Sequence, residues 1–566
     1  MKLWIDGTPW EANPGESLLD IVRKMGLCTQ NLSDTPLAAK IAGEIFTLNY
    51  IPVREKDAKP ERSAIRRAMA ASAGVVHLLR YSDPTGRDVY VRTAQFVLFF
   101  ALRELWPQAK AKMNHTIGAG LYISVEGAED FSVARLKEKV ADLVRQDIPL
   151  IRYRVSTQEA ISYFLSQGQE DKASLLRWRR WETFDMYRHG QFADYYYGEM
   201  APSTGYLRVW DMVEAEGGFV FVFPNDQNPD MVSPFQEMPH FTQVFTEGKR
   251  WGQLMDCETV ADLNRHVKNG DIRSLIRVNE ALHEKRYANV ADMICRRGAK
   301  IVLLAGPSSS GKTTSANRLA VQLRVHGRKP ILLSLDDYYI DREKIPVGPD
   351  GKRDLEHINT IDTPLFAQHM ERLLKGDQVE IPDFNFKTGK REWNGRRVAM
   401  DSDSVFVVEG LHALNPSLLP EKIGKDTVFR MYVSALLPLN LDDHNRIPTS
   451  YLRLLRRMVR DCETRGTSVQ DTIAMWDSVR RGEKRWIFPY QEKADVIFNS
   501  STLYELSVLK KHIFPLLEAV EPEDTAYDEV RAIVRILNYV LEADVDDEIP
   551  PTSLVREFIG GNTFYR

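Results

Sequence analysis

Gly306-Pro307-Ser308-Ser309-Ser310-Gly311-Lys312-Thr313 stands directly behind the apolar run Ile301-Val302-Leu303-Leu304-Ala305. The G-x-x-x-x-G-K-[ST] spacing suits a loop that wraps phosphate. Glycines let the backbone approach the oxygens, and successive N–H groups at a helix N-terminus attract the negative charge. The lysine reaches the outer phosphates, and the threonine hydroxyl can bind Mg²⁺. A Gly/Ser turn matching by chance is the bland alternative. The apolar strand before the loop and the helix-compatible segment Thr314 to Arg324 after it favour phosphate binding. Gly306, Pro307, Ser308, Ser309, Ser310, Gly311, Lys312, Thr313 and Thr314 are therefore the expected triphosphate seat.

Acids and bases follow at useful intervals. Pro330 to Ser334 reads as a second buried strand running into Leu335-Asp336-Asp337-Tyr338-Tyr339. Ligands of open α/β sheets lie beyond the carboxyl ends of the strands, so Asp336 is placed to accept a proton from an attacking hydroxyl. Val405 to Val408 reads as a third strand, ended by Glu409, where an acid can hold Mg²⁺. Arg453, Arg456, Arg457 and Arg460 recur at i, i+3, i+4 and i+7, with Arg465 beyond. Such a run is commonly a solvated face. After a complete phosphate site it reads as a lid whose cations neutralise the moving phosphoryl group.

These residues need a scaffold, and 566 residues are too many for one core. The composition, 43% hydrophobic and 27% charged, is that of a globular protein, and the net charge of -4 gives no global nucleic-acid signature. The apolar stretches are too short to span a bilayer, and no apolar segment follows Met1 to Asp6 as a signal peptide would require. Cys28, Cys257, Cys295 and Cys462 are scattered, which argues against a zinc or disulfide framework and fits a cytoplasmic protein.

Five regions are expected: 1–60, 61–245, 246–298, 299–500 and 501–566. In the first, Lys2 to Ile5 and Trp10 suggest strands around an Asp6-Gly7 turn, and Ser17 suggests an N-cap. Ala38 to Ile41 and Glu44 to Leu48 follow as strands, and the charged stretch Arg54 to Arg62 as a linker. In the second, Thr93 to Leu105 and Val133 to Gln146 carry helical periodicity, while Leu121 to Val125 and Gly217 to Pro224 read as β. Residues 246–298 read as a helical connector. A helical tail closes the chain, with Thr552 or Ser553 capping a short last element.

The motif order in 299–500 resembles uridine kinase and its phosphoribulokinase relatives. It runs phosphate loop, Ser-x-Asp-x-Tyr-Tyr, Ile-Asp-x-Pro, Ile-Pro-x-Phe-x-Phe, Val-Glu-Gly and Arg-Arg-x-x-Arg-Asp-x-x-x-Arg-Gly. The resemblance implies an α/β P-loop domain with a five-stranded, doubly wound parallel sheet, ATP or GTP as donor, Mg²⁺, and a sugar hydroxyl as acceptor. It implies Asp336, Lys312, Arg460 and Arg465 in catalysis and Thr313 and Glu409 on Mg²⁺. It places Tyr339, Asp362, Phe384, Phe386, Arg456 and Arg457 around the acceptor, a nucleoside, with Asp362 on the ribose hydroxyls. Phe384-Asn-Phe-Lys-Thr-Gly-Lys390 lacks the family's tyrosine and histidine, and Thr467 replaces a lid arginine. A sugar phosphate acceptor, or a nucleotide-dependent RNA-binding or regulatory protein, stays open as an alternative.

Residues 1–52 resemble a TGS domain, a small ubiquitin-like α+β fold. Region 63–245 resembles the α+β editing domain of threonyl-tRNA synthetases. Leu105 to Lys110, Ile117 to Tyr122 and Pro202 to Gly205 carry the latter match. The family's H-x-x-x-H pair falls on Arg92 and Phe96, and its C-x-x-x-H pair on Tyr196 and Met200. The resemblance therefore implies a retained fold with its hydrolytic chemistry lost. His77, His115 and His189 read as ordinary structural or surface histidines. A regulatory role, a homo-oligomer interface or an RNA-binding arm would suit this half. Arg62, Arg66 and Arg67, and Arg177, Arg179 and Arg180, are candidate phosphate contacts, with solvated faces the simpler reading.

Overall fold

The computed structural model describes residues 2–52, 74–347, 353–420, 422–521 and 524–564. The expected linker Arg54 to Arg62, with Arg66 and Arg67, lies outside them.

Five parallel strands build the C-terminal half, in the spatial order Lys329–Ser334, Ser404–Glu409, Ile301–Ala305, Val428–Ser434 and Val496–Asn499. The apolar runs are continuous because both faces are covered. On one face Val302, Leu304, Val407 and Met431 pack against Leu319 and Leu323 of helix Lys312–Val325. Tyr287 and Ile294 of helix Ile272–Arg297 complete that layer. On the other face Leu303, Phe406 and Val408 meet Phe366 and Met370 of helix Thr363–Leu374. Helix Ile272–Arg297 thus packs on this sheet through its second half, with the Tyr287 hydroxyl 2.9 Å from Ser315 Oγ, while Ile272, Leu275 and Ile276 join the core that holds Phe164 and Leu263. Ile301–Ala305 is the central strand, so the loop behind it, Asp336 and Glu409 all emerge at one carboxyl edge of the sheet.

At the N-terminus the hairpin turn has positive φ at both Asp6 (45°) and Gly7 (82°), the backbone that a two-residue turn between twisted strands requires. Ser17 caps helix Leu18–Lys24 in a reciprocal capping box with Asp20. Val75–Leu79 inserts between Lys2–Ile5 and Ala38–Ile41 as the middle of five strands. The sheet therefore takes a strand from beyond residue 60. Helix Pro84–Leu105 begins well before Thr93, with Pro84 in its first turn, where a missing N–H costs nothing. It lies beside the four-stranded sheet that contains Gly120–Glu126 and Gly218–Val222, and the two share one core.

The halves interlock through buried polar contacts. A segment of the C-terminal half, Asn440 to Arg446, enters the N-terminal half. Asn440 Nδ2 donates to Met113 O at 2.7 Å, and the His444 ring stacks on Phe99 at 3.5 Å. Lys172, fully buried, pairs with Asp194, which also meets His444 Nδ1 at 2.6 Å. Tyr195 donates to Asp442 at 2.6 Å. Among the described residues no helix is long and apolar enough to cross a membrane.

Candidate active site

Gly306 follows a fully buried strand, and a Cβ there would lie 2.1 Å from Val433 O, so only glycine fits. Gly311, at φ +85°, turns the chain into the helix that begins at Lys312. Ser309 also has positive φ, +58°. The Ser309 and Ser310 hydroxyls are buried without a hydrogen-bond partner, so the loop holds polar groups that a bound phosphate would satisfy. Lys312 Nζ rests on Pro307 O at 3.2 Å.

Thr313 Oγ1 lies 3.2 Å from Glu409 Oε1, and Ser334 Oγ lies 3.4 Å from the same oxygen. Asp336 follows Ser334, whose hydroxyl accepts the Asp336 N–H at 3.2 Å. Burial raises the Asp336 carboxyl above the ordinary range; Lys312, a hydrogen bond from Tyr339 and Arg465 oppose the shift. Burial, with Asp336 adding to it, pushes Glu409 up to about 7, against Lys312 and Thr313. Two carboxylates beside one lysine at a phosphate seat are arranged for charge that arrives with a ligand.

On the far side of Asp336, Tyr339, Phe384 and Phe386 form an aromatic wall, with ring centroids 5.1 to 6.3 Å apart. Asp362 caps helix Thr363–Leu374 through Leu365 N at 3.1 Å and receives Arg391 Nη1 at 2.9 Å. Arg391 also holds Tyr339 O and Tyr338 O. Sequence reasoning overlooked Arg391. It also overlooked Glu356, which burial and neighbouring Glu483 push up to about 7.

The arginine helix Thr449–Arg465 corrects one expectation. Its four arginines do not all face the ligand. Arg456 is fully buried, forked onto Glu505 at 2.7 and 3.1 Å, with Ser500 O at 2.8 Å. Its Nη1 donates to Ser500 Oγ at 3.2 Å and faces Ser309 O at 3.4 Å, so it braces the loop from behind and has no free donor face for an acceptor. Arg453 does the same, pairing with buried Glu483 and donating to Ser308 O at 3.1 Å. Arg457 reaches Ser308 Oγ at 3.0 Å. Arg457, Arg460 and Arg465 converge on buried Asp461, at 3.3, 2.8 and 3.5 Å. Arg465, more than half exposed, is the member whose charge is felt at Asp336.

The C-terminal tail reaches the loop as well. Leu554 packs on Gly311, where a Cβ would lie 2.6 Å from its Cδ2. Glu557 Oε2 accepts from Thr314 Oγ1 at 2.6 Å and from Thr314 N at 3.4 Å. A carboxylate thus sits on donors in the first turn of the loop helix. The formal N-cap of Arg556–Ile559 is Val555 rather than Thr552 or Ser553, but Ser553 Oγ accepts the Val555 N–H at 3.2 Å just ahead of the helix and donates to Glu280 at 2.7 Å.

Residues 301–507 match the family described as "Phosphoribulokinase / Uridine kinase family". A "Uridine kinase" of Vibrio vulnificus (strain YJ016) is 29% identical over 224 residues, covering 39% of this chain and 96% of that one. A "Threonine--tRNA ligase" of Desulforamulus reducens is 27% identical over 218 residues, 38% of this chain, and the match spans only 31% of the ligase. The ligase likeness falls on the N-terminal region. A solved "Possible Uridine Kinase from Bacillus stearothermophilus" is 19% identical, over 37% of this chain and 97% of that one, with a TM-score of 0.26. Behind a region similar to threonine–tRNA ligases, the chain carries a P-loop kinase domain of the phosphoribulokinase/uridine kinase family, and it is a phosphotransferase.

Proposed function

We propose that the chain transfers the γ-phosphoryl group of ATP to the 5′-hydroxyl of a nucleoside. The observation that carries this reading is the position of Asp336. It sits between Lys312 of the phosphate loop and the aromatic wall of Tyr339, Phe384 and Phe386. A hydroxyl held against that wall can give its proton to Asp336 while its oxygen attacks in line. A carboxyl raised by burial is a better base near neutrality than an exposed aspartate. Lys312, Arg460 and Arg465 supply positive charge for the transferring group, and Arg457 orients Ser308. The oxygens of Thr313 and Glu409 fit a hard divalent cation, and bound Mg²⁺ would shield charge on the β- and γ-phosphates.

A second reading, a sugar phosphate acceptor, is favoured by one observation. Arg391 already engages Asp362, so the acceptor pocket carries a guanidinium where a bare ribose needs only a carboxylate.

For the N-terminal half we propose a TGS-like unit followed by an editing-like fold without hydrolytic chemistry. Phe96 and Met200 are fully buried packing groups, and Arg92 Nε donates to Glu199 O at 2.9 Å. The Tyr196 hydroxyl reaches Asp194 at 3.4 Å. None of these side chains supplies a nucleophile or a good metal ligand.

Asp336→Asn tests the kinase mechanism. It keeps the shape and removes the base, so kcat falls roughly 10²- to 10⁴-fold while nucleotide affinity holds. Unchanged turnover would refute Asp336 as the base.

A further inference from the structure

Between the editing-like region and the kinase domain lies a cavity of about 710 Å³, large enough for a small organic ligand. One wall is helix Pro84–Leu105 with Tyr196 and Tyr197; the other is helix Val469–Trp486 with the start of the arginine helix. Neither half forms it alone.

The cavity carries more positive charge than its own acids balance. Arg87 and Lys484 share one carboxylate, Asp226, at 3.3 and 2.8 Å. Arg87, Arg92 and Arg480 surround a second acid, Asp88. Among the described residues, Arg92, Arg446 and Arg480 have no carboxylate within ion-pair distance, and Arg87 Nε is buried without a partner. Burial, then the neighbouring Arg453, pulls the Arg480 guanidinium below its ordinary value, and burial alone brings Arg446 to about 10. Gathering like charges away from water is unfavourable unless an anion joins them.

A nearby cavity of about 570 Å³ gives the contrast. There Arg152 pairs with Glu199, Arg154 with Asp185 at 2.9 Å, and Arg179 with the Tyr539 hydroxyl at 2.6 Å. These three cations have partners within the fold; Arg531 and Arg535, which also line it, have no carboxylate within ion-pair distance among the described residues. The lining of the larger cavity also includes the aromatic rings of Tyr197, Phe223, Tyr451 and Phe488, beside polar groups such as Gln95 and Asn225. Guanidinium groups that bind phosphate in a fork, beside aromatic faces that stack a flat ring, match one ligand chemistry.

We propose that this interdomain cavity is a second ligand site, taking a nucleoside phosphate with its phosphate on Arg87, Arg92 and Arg480 and its base against the aromatic lining. The site also touches the phosphate loop. Arg453 lines the cavity and donates to Ser308 O at 3.1 Å, so a ligand that moves Arg453 shifts the loop. That consequence for catalysis rests on the kinase reading above; binding does not.

The test uses the full chain carrying Lys312→Ala, to weaken the phosphate loop, and calorimetric titration with UMP, UTP, CTP and inorganic pyrophosphate. At least one nucleotide binds saturably at one per chain. Arg92→Gln and Arg480→Gln each weaken it tenfold or more, while both variants still unfold cooperatively; any fall in melting temperature reflects the lost Arg92 bond to Glu199 O and the weaker field at Asp88, and is measured without nucleotide. Absence of nucleotide binding, or binding indifferent to both substitutions, overturns the proposal. Pyrophosphate binding as tightly as every nucleotide overturns its nucleoside part. In the chain with Lys312 intact, the same nucleotide changes the KM for ATP, and Arg480→Gln abolishes that change.

Discussion

Replacing Glu557 by Gln should tighten nucleotide binding. The Glu557 carboxylate takes the Thr314 hydroxyl at 2.6 Å and faces its N–H at 3.4 Å, at the start of a helix whose positive end favours an anion. A nucleotide phosphate needs the same donors. If both anions stayed about 4 Å apart, their repulsion would be about 4 kcal/mol at an effective dielectric of 20. Partial exposure screens much of that, and the tail can instead swing away at the loss of its hydrogen bonds. Glutamine keeps the shape and an acceptor oxygen but removes the charge. We expect ATP affinity to rise roughly 10- to 100-fold, or about 1.4 to 2.7 kcal/mol. The nucleotide-free protein should lose about 0.5 to 1 kcal/mol, because the helix N-terminus loses its anion. Calorimetric titration with ATP and urea unfolding without it measure the two effects. Unchanged or weaker ATP affinity in Glu557→Gln would refute competition at this seat.

Further outcomes follow from the same geometry. Glu409 has its carboxyl raised to about 7 against an ordinary 4.5, so the native state holds its proton longer than the unfolded chain. The stability this group contributes is complete below pH about 4.5 and is lost as pH rises to about 7. Urea midpoints of the nucleotide-free protein should decline over that window and decline less in Glu409→Gln. The flattening should be partial, because Glu356 also titrates near 7. A slope identical in the variant would remove Glu409 from the account. Arg456→Ala leaves Glu505 buried without its partner and should cost about 3 to 5 kcal/mol, seen as a lower urea midpoint. A substitution without cost would place Arg456 on the ligand instead. Tyr339→Phe removes the hydroxyl that bonds Asp336. It should lower kcat more than it alters ATP affinity in stopped-flow and titration assays.

The donor side of the site was readable from sequence because its chemistry is local. Gly306, Gly311, Lys312 and Thr313 lie within eight consecutive positions, and Asp336 and Glu409 each end a continuous apolar run. The burial of Arg453 and Arg456 was not readable, because it depends on Glu483 and Glu505, 30 and 49 residues away. A weak signal existed: Leu452, Leu455 and Val459 make an apolar stripe alongside Arg456, which sets that arginine at the edge of a core. Val75–Leu79 went unassigned because its partners, Lys2–Ile5 and Ala38–Ile41, are far off in sequence. Glu557 carries no local signature, since its place at the loop depends on how residues 549–564 fold back. Arg391 sits in a short hairpin whose pairing, Phe384 with Arg391, aims it at Asp362.

The most direct test is product analysis with γ-labelled ATP, Mg²⁺ and a panel of acceptors: uridine, cytidine, adenosine, guanosine, ribulose 5-phosphate and fructose 6-phosphate. The account predicts a labelled nucleoside 5′-monophosphate, formed by the parent chain and suppressed in Asp336→Asn. Label appearing on a sugar phosphate, or on no acceptor while ATP still binds, would contradict it.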